Sequence, residues 1–298
     1  MTRLRLSLKS LVRIGLNLVF GALFLYGCSS STTPTFLKEN INDAIQDICK
    51  KEYKFDVKAK LAGNTLWIYV PLEDIFTPSD KPEKYTEKFT IEHNKEEFNS
   101  DTLKVEYLIK AIPEQEKTQE YKYNKDASEK INNVWKVLNR VLFSMDRAKQ
   151  NEPKFYYLVI ADIKNGFEIK EICYYLDLKK VSYVFISWGE FQHRTIQDTG
   201  ISADIIGDKD GKHLKYNDIT MEEFLAWQIQ HRIKLKFQKP EVDQKADIDK
   251  EVLKIITYTL KAYNFDNFQF LELYNLFTNK KSLFNKAAIL AKSVKPQS

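Results

Sequence analysis

The chain has 298 residues, of which 43% are apolar and 13% aromatic, enough for one large packed domain or two modest ones. Its 46 Lys and Arg residues exceed its 41 Asp and Glu residues, but four of the basic residues fall within the first 27 positions. The remaining 271 residues are therefore nearly neutral, which excludes the strongly basic surface of a general nucleic-acid-binding protein.

The first 27 residues have the organisation of a secretory signal peptide. An apolar run from 14 to 26 follows a basic segment and is interrupted only by Asn17. At 13 residues, it is shorter than the roughly 20 that a membrane-spanning helix needs. The charges of the basic segment come from Arg3, Arg5, Lys9 and Arg13.

The junction at residues 25–28 resembles the lipobox at which bacterial lipoproteins are processed. It reads Leu25-Tyr26-Gly27-Cys28, with leucine three places before the cysteine and glycine directly before it. The resemblance implies that residues 1–27 are removed and that Cys28 receives a diacylglycerol and, in many bacteria, a further acyl chain such as palmitate. Two or more acyl chains give stable membrane attachment where one does not. An uncleaved membrane helix and a buried apolar segment are the alternatives.

The same resemblance predicts where the mature protein works. An anchor on Cys28 places it at a membrane of the bacterial cell envelope, and Ser29 in the next position favours the outer membrane where there are two. Residues 28–35 are expected to form a flexible tether, and the seven residues after Cys28 span about 23 Å at full extension. The expected partners are the membrane, reached through the anchor, and an envelope protein.

From residue 36 onward, helical and strand periodicities alternate along the chain. Apolar residues predict helices at 36–52 and 127–145, a strand at 103–110, and hairpins formed by 55–62 with 66–71 and by 156–163 with 167–175. Polar stretches predict loops at 77–82 and 113–126. A helix followed by a hairpin therefore occurs twice, at 36–71 and 127–175.

The last third of the chain completes the predicted architecture. Alternation of Ile233, Leu235 and Phe237 with basic residues predicts a strand at 231–238, and the polar stretch 239–247 predicts a linker. Helical spacing then predicts three helices within 248–298. The expected fold class is α+β. A largely antiparallel sheet with helices on one side would occupy 36–238, followed by a C-terminal helical bundle.

Few patterns carry chemistry, and each has a simpler structural interpretation. Glu190, His193 and Asp198 could supply an acid/base pair, but Glu190 already fits a capping box with Ser187. A second capping box joins Thr220 to Glu223. Residues 208–211 read Asp-Lys-Asp-Gly, which fits an Asp-Gly turn better than a calcium loop. We expect no catalytic residue, cofactor or metal ligand.

Three questions about thiols and surfaces stay open. Cys49 and Cys173 could form a disulfide or remain buried thiols. The aromatic segment 263–270 could bind a partner or pack in the core. A basic stripe could meet anionic headgroups or serve only solvation, and it consists of Arg232, Lys234, Lys236 and Lys239.

The sequence supports an anchor more firmly than an activity. The leading hypothesis is a non-catalytic envelope lipoprotein with Cys28 as its one predicted site, which binds a protein or another envelope component. The alternatives are an envelope hydrolase whose site is assembled from distant residues and a carrier of an apolar ligand. An aromatic patch over a filled core would favour the first, a cleft with His193 beside a carboxylate the second, and a large enclosed apolar cavity the third.

Overall fold

A computed structural model of the chain describes residues 36–145, 152–238 and 241–291. The predicted signal peptide, Cys28 and the tether lie outside these ranges. Within them, the helices are all too short or too polar to cross a bilayer.

Nine strands and seven α-helices make up the described fold. In chain order they are α1 (Ile41–Glu52), β1 (Lys58–Ala62), β2 (Thr65–Leu72), β3 (Phe76–Asn99), β4 (Thr102–Tyr123), α2 (Lys125–Ser144), β5 (Phe155–Asp162), β6 (Phe167–Tyr174), α3 (Tyr175–Ser182), α4 (Trp188–Arg194), β7 (Ile196–Ile201), α5 (Met221–Phe237), α6 (Ile248–Ala262), β8 (Phe270–Asn275), β9 (Lys280–Asn285) and α7 (Lys286–Ala291). Short 3-10 turns occur at Lys38–Asn40 and Ala203–Ile205.

The first sheet is built around the two predicted helix-and-hairpin units. Its strand order is β1-β2-β5-β6-β7, and the two units lie side by side because β2 pairs with β5 in parallel, from Thr65 opposite Phe155 to Leu72 opposite Asp162. Both hairpins and both helices are therefore confirmed. Strand β2 is buried on both faces, with Ile68 toward α1 and α2 and Trp67 toward the opposite side, which explains its nearly continuous apolar sequence.

The second sheet has the order β3-β4-β8-β9, with β4 and β8 parallel. Strands β3 and β4 form a long hairpin of 24 and 22 residues, and residues 102–107 of β4 pair with β8. Helices α5 and α6 pack against this sheet, and their core also includes Phe155, Ile172 and Ile196 of the first sheet. Residues on both sides of the predicted linker thus share one sheet.

The predicted fold class is wrong in two respects. Both sheets are mixed rather than largely antiparallel, and helices cover the first sheet on both faces. The C-terminal region is not a helical bundle, because β8 and β9 lie between α6 and α7. In β8, Leu271 and Leu273 are buried while Phe270 is exposed, which is strand alternation, although Leu271, Tyr274 and Phe277 also fit helical spacing.

Three local predictions also fail. Residues 77–82, expected to form a loop, lie within β3, where Thr77 and Pro78 pair with Lys122 and Tyr121 of β4. Residues 231–237 belong to α5, because Ile229, Ile233 and Phe237, four positions apart, are all buried and Leu235 is only half-buried. The polar stretch 113–123 is exposed as expected, but it continues β4 through pairing with β3. Backbone pairing does not require the side chains of such a ribbon to be buried.

Candidate functional site

A group of exposed apolar side chains occupies residues 183–188, between α3 and α4; we name this segment the aromatic loop. Tyr183 is 58% exposed, Val184 85%, Phe185 79% and Trp188 63%. Single exposed hydrophobic residues are ordinary, whereas a contiguous group indicates an interaction surface.

The backbone of the aromatic loop is held in a defined conformation. The amide of Phe185 donates to the carbonyl of Lys180 at 2.7 Å, which closes the end of α3. Ser187 Oγ accepts from the amide of Glu190 at 3.1 Å, so the predicted helix cap is confirmed. Val184 has a φ of 62°, a left-handed conformation that costs a β-branched residue about 1–2 kcal/mol. The backbone strain of this segment therefore falls on the residue of the loop whose apolar side chain is the most exposed.

A buried ionic network fixes the helices that carry the aromatic loop. Asp177 on α3, 1% exposed, accepts from Arg194 Nη1 on α4 at 2.8 Å and from the hydroxyl of Tyr263 at 2.7 Å. Arg194 Nε donates to Glu190 at 2.7 Å, and Tyr258 on α6 donates to the same carboxylate at 3.0 Å. Helices α3, α4 and α6 are thus joined by charge-assisted hydrogen bonds.

The network also decides the role of Glu190. Burial alone would raise the pKa of Glu190, but the hydrogen bond from Arg194 and the charge of Arg232 hold this pKa below its ordinary value. Glu190 is therefore an ionised partner of Arg194 and Arg232, which explains this carboxylate structurally rather than as the proton donor of an acid/base group.

Beside Trp188 lies a cleft of about 250 Å³, which we name the aromatic cleft. Trp135, Trp188, Phe191 and Leu235 contribute apolar walls, and polar side chains from β6, α4, β7 and α5 complete the lining. These polar residues are Glu171, Gln192, His193, Thr195, Gln197 and His231. Apolar walls with a few convergent polar groups are typical of ligand sites, although this cleft holds little more than one ring or one side chain.

Burial shifts the pKa values of two side chains of the aromatic cleft in opposite directions. It raises the pKa of Glu171, an effect partly offset by the 2.9 Å hydrogen bond that Gln197 Nε2 donates to its carboxylate. Burial, with the nearby charges of Arg232 and Lys234, lowers the pKa of His231 to about 4. His231 is therefore neutral at pH 7, and its Nδ1 accepts from the amide of Gln197 at 3.5 Å.

The hydroxyl and thiol nearest the aromatic cleft are already engaged. Thr195 Oγ1 donates to the carbonyl of Phe191 at 3.1 Å and lies 3.3 Å from Cys173 Sγ. Burial raises the pKa of the Cys173 thiol far above its ordinary value, which disfavours a thiolate nucleophile. Both Cys49 and Cys173 are free and buried, so they form no disulfide with each other.

A second polar cluster surrounds His213. Its Nδ1 lies 2.6 Å from Asp208 and its Nε2 3.1 Å from Glu168, and all three side chains are largely buried. Both ring nitrogens of His213 therefore face carboxylates of the protein itself, and neither is directed at a ligand. Asp208 also accepts from the amide of Asp210, which forms the turn expected at 208–211. Among the described residues, no group of three or more His, Cys, Asp or Glu side chains, this one included, is placed so that it could hold a metal ion.

The remaining sequence candidates are structural. On α5, Arg232 pairs with Glu190 of α4 and Lys236 with Glu251 of α6, so these two members of the basic stripe have partners on different helices. Lys239 lies outside the described residues. Phe268 is buried and Phe265 packs against Phe98, which supports core packing for the aromatic segment 263–270.

Sequence reasoning missed the aromatic loop. The available signal was an apolar run, Tyr183 to Ile186, placed between two helices where turn-forming residues are usual. It also missed Glu171 of β6 and His231 of α5, which line the same cleft as His193 although they are distant from it in sequence.

No family model matches the chain, and no curated protein or solved structure matches it either. Its role must therefore be inferred from its own residues, foremost the aromatic loop and the aromatic cleft.

Proposed function

We propose that this chain is a membrane-anchored protein of the bacterial cell envelope that binds an envelope component without a catalytic step. Lipid on Cys28 holds it at the membrane, and the aromatic loop is its binding surface. The observation that carries the proposal is the exposure of the loop, where Phe185 and Trp188 leave 79% and 63% of their surface in water. Aromatic side chains of this kind supply much of the binding energy at interfaces.

The energetics of the aromatic loop support recognition. Burying a side chain such as Phe185 in an interface would contribute about 1.5–3 kcal/mol of favourable free energy. The isolated protein does not gain this free energy, because the side chain stays in water. The loop nevertheless keeps its shape, because Asp177 and Arg194 fix the helices at its base and Ser187 caps α4. A surface ordered before it meets its partner loses little conformational entropy on binding.

Photo-crosslinking in intact cells tests the proposal. A photoreactive amino acid replaces Phe185 in one variant and Ile206 in a matched control. Ile206 is 59% exposed, and the neighbouring Gly207 donates to the carbonyl of Ile163 just beyond the end of β5, far from the loop in the sheet. We expect a light-dependent adduct with an envelope component at position 185 and none at 206. Equal labelling at both positions, or none at 185, would contradict the proposal.

An envelope hydrolase is the second candidate, and the aromatic cleft is the observation that favours it. The raised pKa of Glu171 suits a proton donor, and the neutral His231 suits an acceptor. This candidate predicts that the purified protein hydrolyses a fluorogenic ester and that Glu171→Gln abolishes the reaction. The exposed Asp198, outside the cleft, gives the control Asp198→Asn, which should retain it. Turnover that is absent, or unaffected by Glu171→Gln, would eliminate this candidate.

Two open cavities of the described residues do not suit the apolar ligand of the carrier hypothesis. They have volumes of about 710 and 610 Å³ and are lined mainly by charged side chains such as Lys58, Asp74 and Asp210. An apolar ligand would leave these charges without water, at a substantial cost in free energy.

A further inference from the structure

We infer that the aromatic loop dips into the surface of the bilayer beside the lipid anchor, so that the protein contacts the membrane at two places. This inference rests on the proposed anchor at Cys28 and names the bilayer as what the loop binds.

The first step is the position at which the described chain begins. Lys38 Nζ lies 3.4 Å from Asn64 Oδ1 in the turn between β1 and β2. The carbonyl of Asn64 accepts from the amide of Lys154 at 2.8 Å, just before β5, and the carbonyl of Lys154 accepts from the amide of Tyr175 at 2.8 Å, where α3 begins. The start of the described chain and the start of α3 therefore lie at the same edge of the first sheet.

The second step is reach. Helix α3 has eight residues and a length of about 12 Å, so the aromatic loop at its far end lies within roughly that distance of this edge. The ring of Tyr183 lies 6.0 Å from that of Phe143, near the end of α2. The seven residues between Cys28 and Phe36 span about 23 Å at most. A bilayer that holds acyl chains on Cys28 is consequently within reach of the loop.

The third step is the order of side chains in the aromatic loop. Val184 and Phe185, the most exposed of the group, are flanked by Tyr183 and Trp188. Tyrosine and tryptophan favour the headgroup level of a bilayer, because each has an apolar ring and a polar group, whereas valine and phenylalanine favour the acyl region. The loop therefore has a fully apolar tip between two interfacial residues, as a segment that enters a membrane surface should.

The fourth step is charge. Lys154 is exposed at this edge, and Lys179 and Lys180 lie in the last turn of α3. These charges are partly balanced, because Glu152 lies 3.7 Å from Lys179 and the buried Asp177, which bonds Arg194, lies 3.5 Å from Lys180. The three lysines and Arg194 nevertheless outnumber these two carboxylates, and lysines near a membrane surface are attracted by anionic headgroups.

Spin labels measure the depth of the aromatic loop directly. Phe185→Cys and, as the matched control, Ile206→Cys each add one exposed thiol, while Cys49 and Cys173 are buried and should not react. The full-length gene is expressed so that the signal is processed. The labelled product is then reconstituted in vesicles of equal parts phosphatidylethanolamine and phosphatidylglycerol. Collision of each nitroxide with dissolved oxygen and with a water-soluble nickel complex reports whether it lies in lipid or in water.

We expect a several-fold higher ratio of oxygen to nickel collisions at position 185 than at position 206. Equal, water-like ratios at both positions, with acylated Cys28, would overturn the inference and leave the anchor intact. Dipolar broadening between labels at position 185 would show that a second copy covers the loop, and would overturn it too. Labelling of a second thiol, identified as Cys28, would show that the anchor is absent, and both proposals would fail.

Discussion

The two ends of the α3 and α4 pair have opposite character. At the base, Asp177 and Arg194 are buried and paired, and Tyr258 of α6 and Tyr263 just after α6 complete the network. At the tip, Val184 and Phe185 leave most of their apolar surface in water. The contrast shows that exposure of the tip is not a consequence of loose structure, since the same short segment is held by buried charges at the other end.

The largest expected effect is at the base. Arg194→Met leaves Asp177 buried with its strongest partner removed, and such a change costs about 3–5 kcal/mol of unfolding free energy. Lys180→Met is the control, because Lys180 is partly exposed and lies 3.5 Å from the same carboxylate, so its loss should cost under about 1 kcal/mol. Urea unfolding measures both. Equal effects of the two variants would mean that the base is not held by its buried pair.

Glu96 is a buried carboxyl that lacks the kind of partners that Asp177 has, and the two can be compared. Glu96 on β3 is 9% exposed, its oxygens have no hydrogen-bond partner among the described residues, and burial raises its pKa to about 8 despite the charge of Lys234. The folded state then holds a proton that the unfolded chain releases above its ordinary pKa near 4.5. Stability should therefore decrease by about 3 kcal/mol as the pH rises from about 5 to 8.

Urea unfolding at both pH values tests the role of Glu96. Glu96→Gln should remove most of this pH dependence, because glutamine does not ionise. The exposed neighbour Glu97, paired with Lys95 at 3.0 Å, provides the control Glu97→Gln, which should leave the dependence unchanged. A wild-type protein that is equally stable at both pH values would show that Glu96 reaches water or a counter-charge.

A smaller effect is expected from the strain at the tip. Val184→Gly should raise the unfolding free energy by about 1 kcal/mol, because glycine adopts the left-handed conformation without the clash of a β-carbon. Val184→Ala keeps that carbon and should gain less. Thermal unfolding of the two variants measures the difference, and a destabilised glycine variant would indicate that the valine side chain supports the fold.

The smallest change in stability is expected from the aromatic residues themselves. Phe185→Ser combined with Trp188→Ser should alter the unfolding free energy by no more than about 0.5 kcal/mol, as at other surface positions. The urea midpoint of this double variant checks the expectation. A loss of about 2 kcal/mol or more would mean that the tip belongs to the core, and the loop would then be a poor candidate for a binding surface.

Local signals predicted those parts of the fold that a few neighbouring residues determine. Gly166, with a φ of 71°, forms the turn of the second hairpin, and Ser187 caps α4 as predicted, although Glu190 bonds Arg194 instead of completing the capping box. Strand pairing across long separations was not predictable in this way, because nothing local specifies that β2 lies parallel to β5. The alternation of apolar and basic residues at 231–238 predicted a strand wrongly for a related reason. Ile233 and Phe237 are buried because they lie on the inner face of a helix that begins at Met221.

The candidate site was less predictable than the fold. His193 drew attention next to Glu190 and Asp198, yet its neighbours in the aromatic cleft, Glu171 and His231, come from β6 and α5. An apolar run such as 183–186 ordinarily indicates a buried segment, and its exposure depends on packing that the sequence alone does not specify.

Mass spectrometry of the N-terminal peptide of the protein purified from bacterial membranes tests the central claim most directly. The account predicts a chain that begins at Cys28 and carries the mass of a diacylglycerol on that residue, with or without a further acyl chain. An unmodified thiol at Cys28, or a chain that still contains residues 1–27, would contradict it.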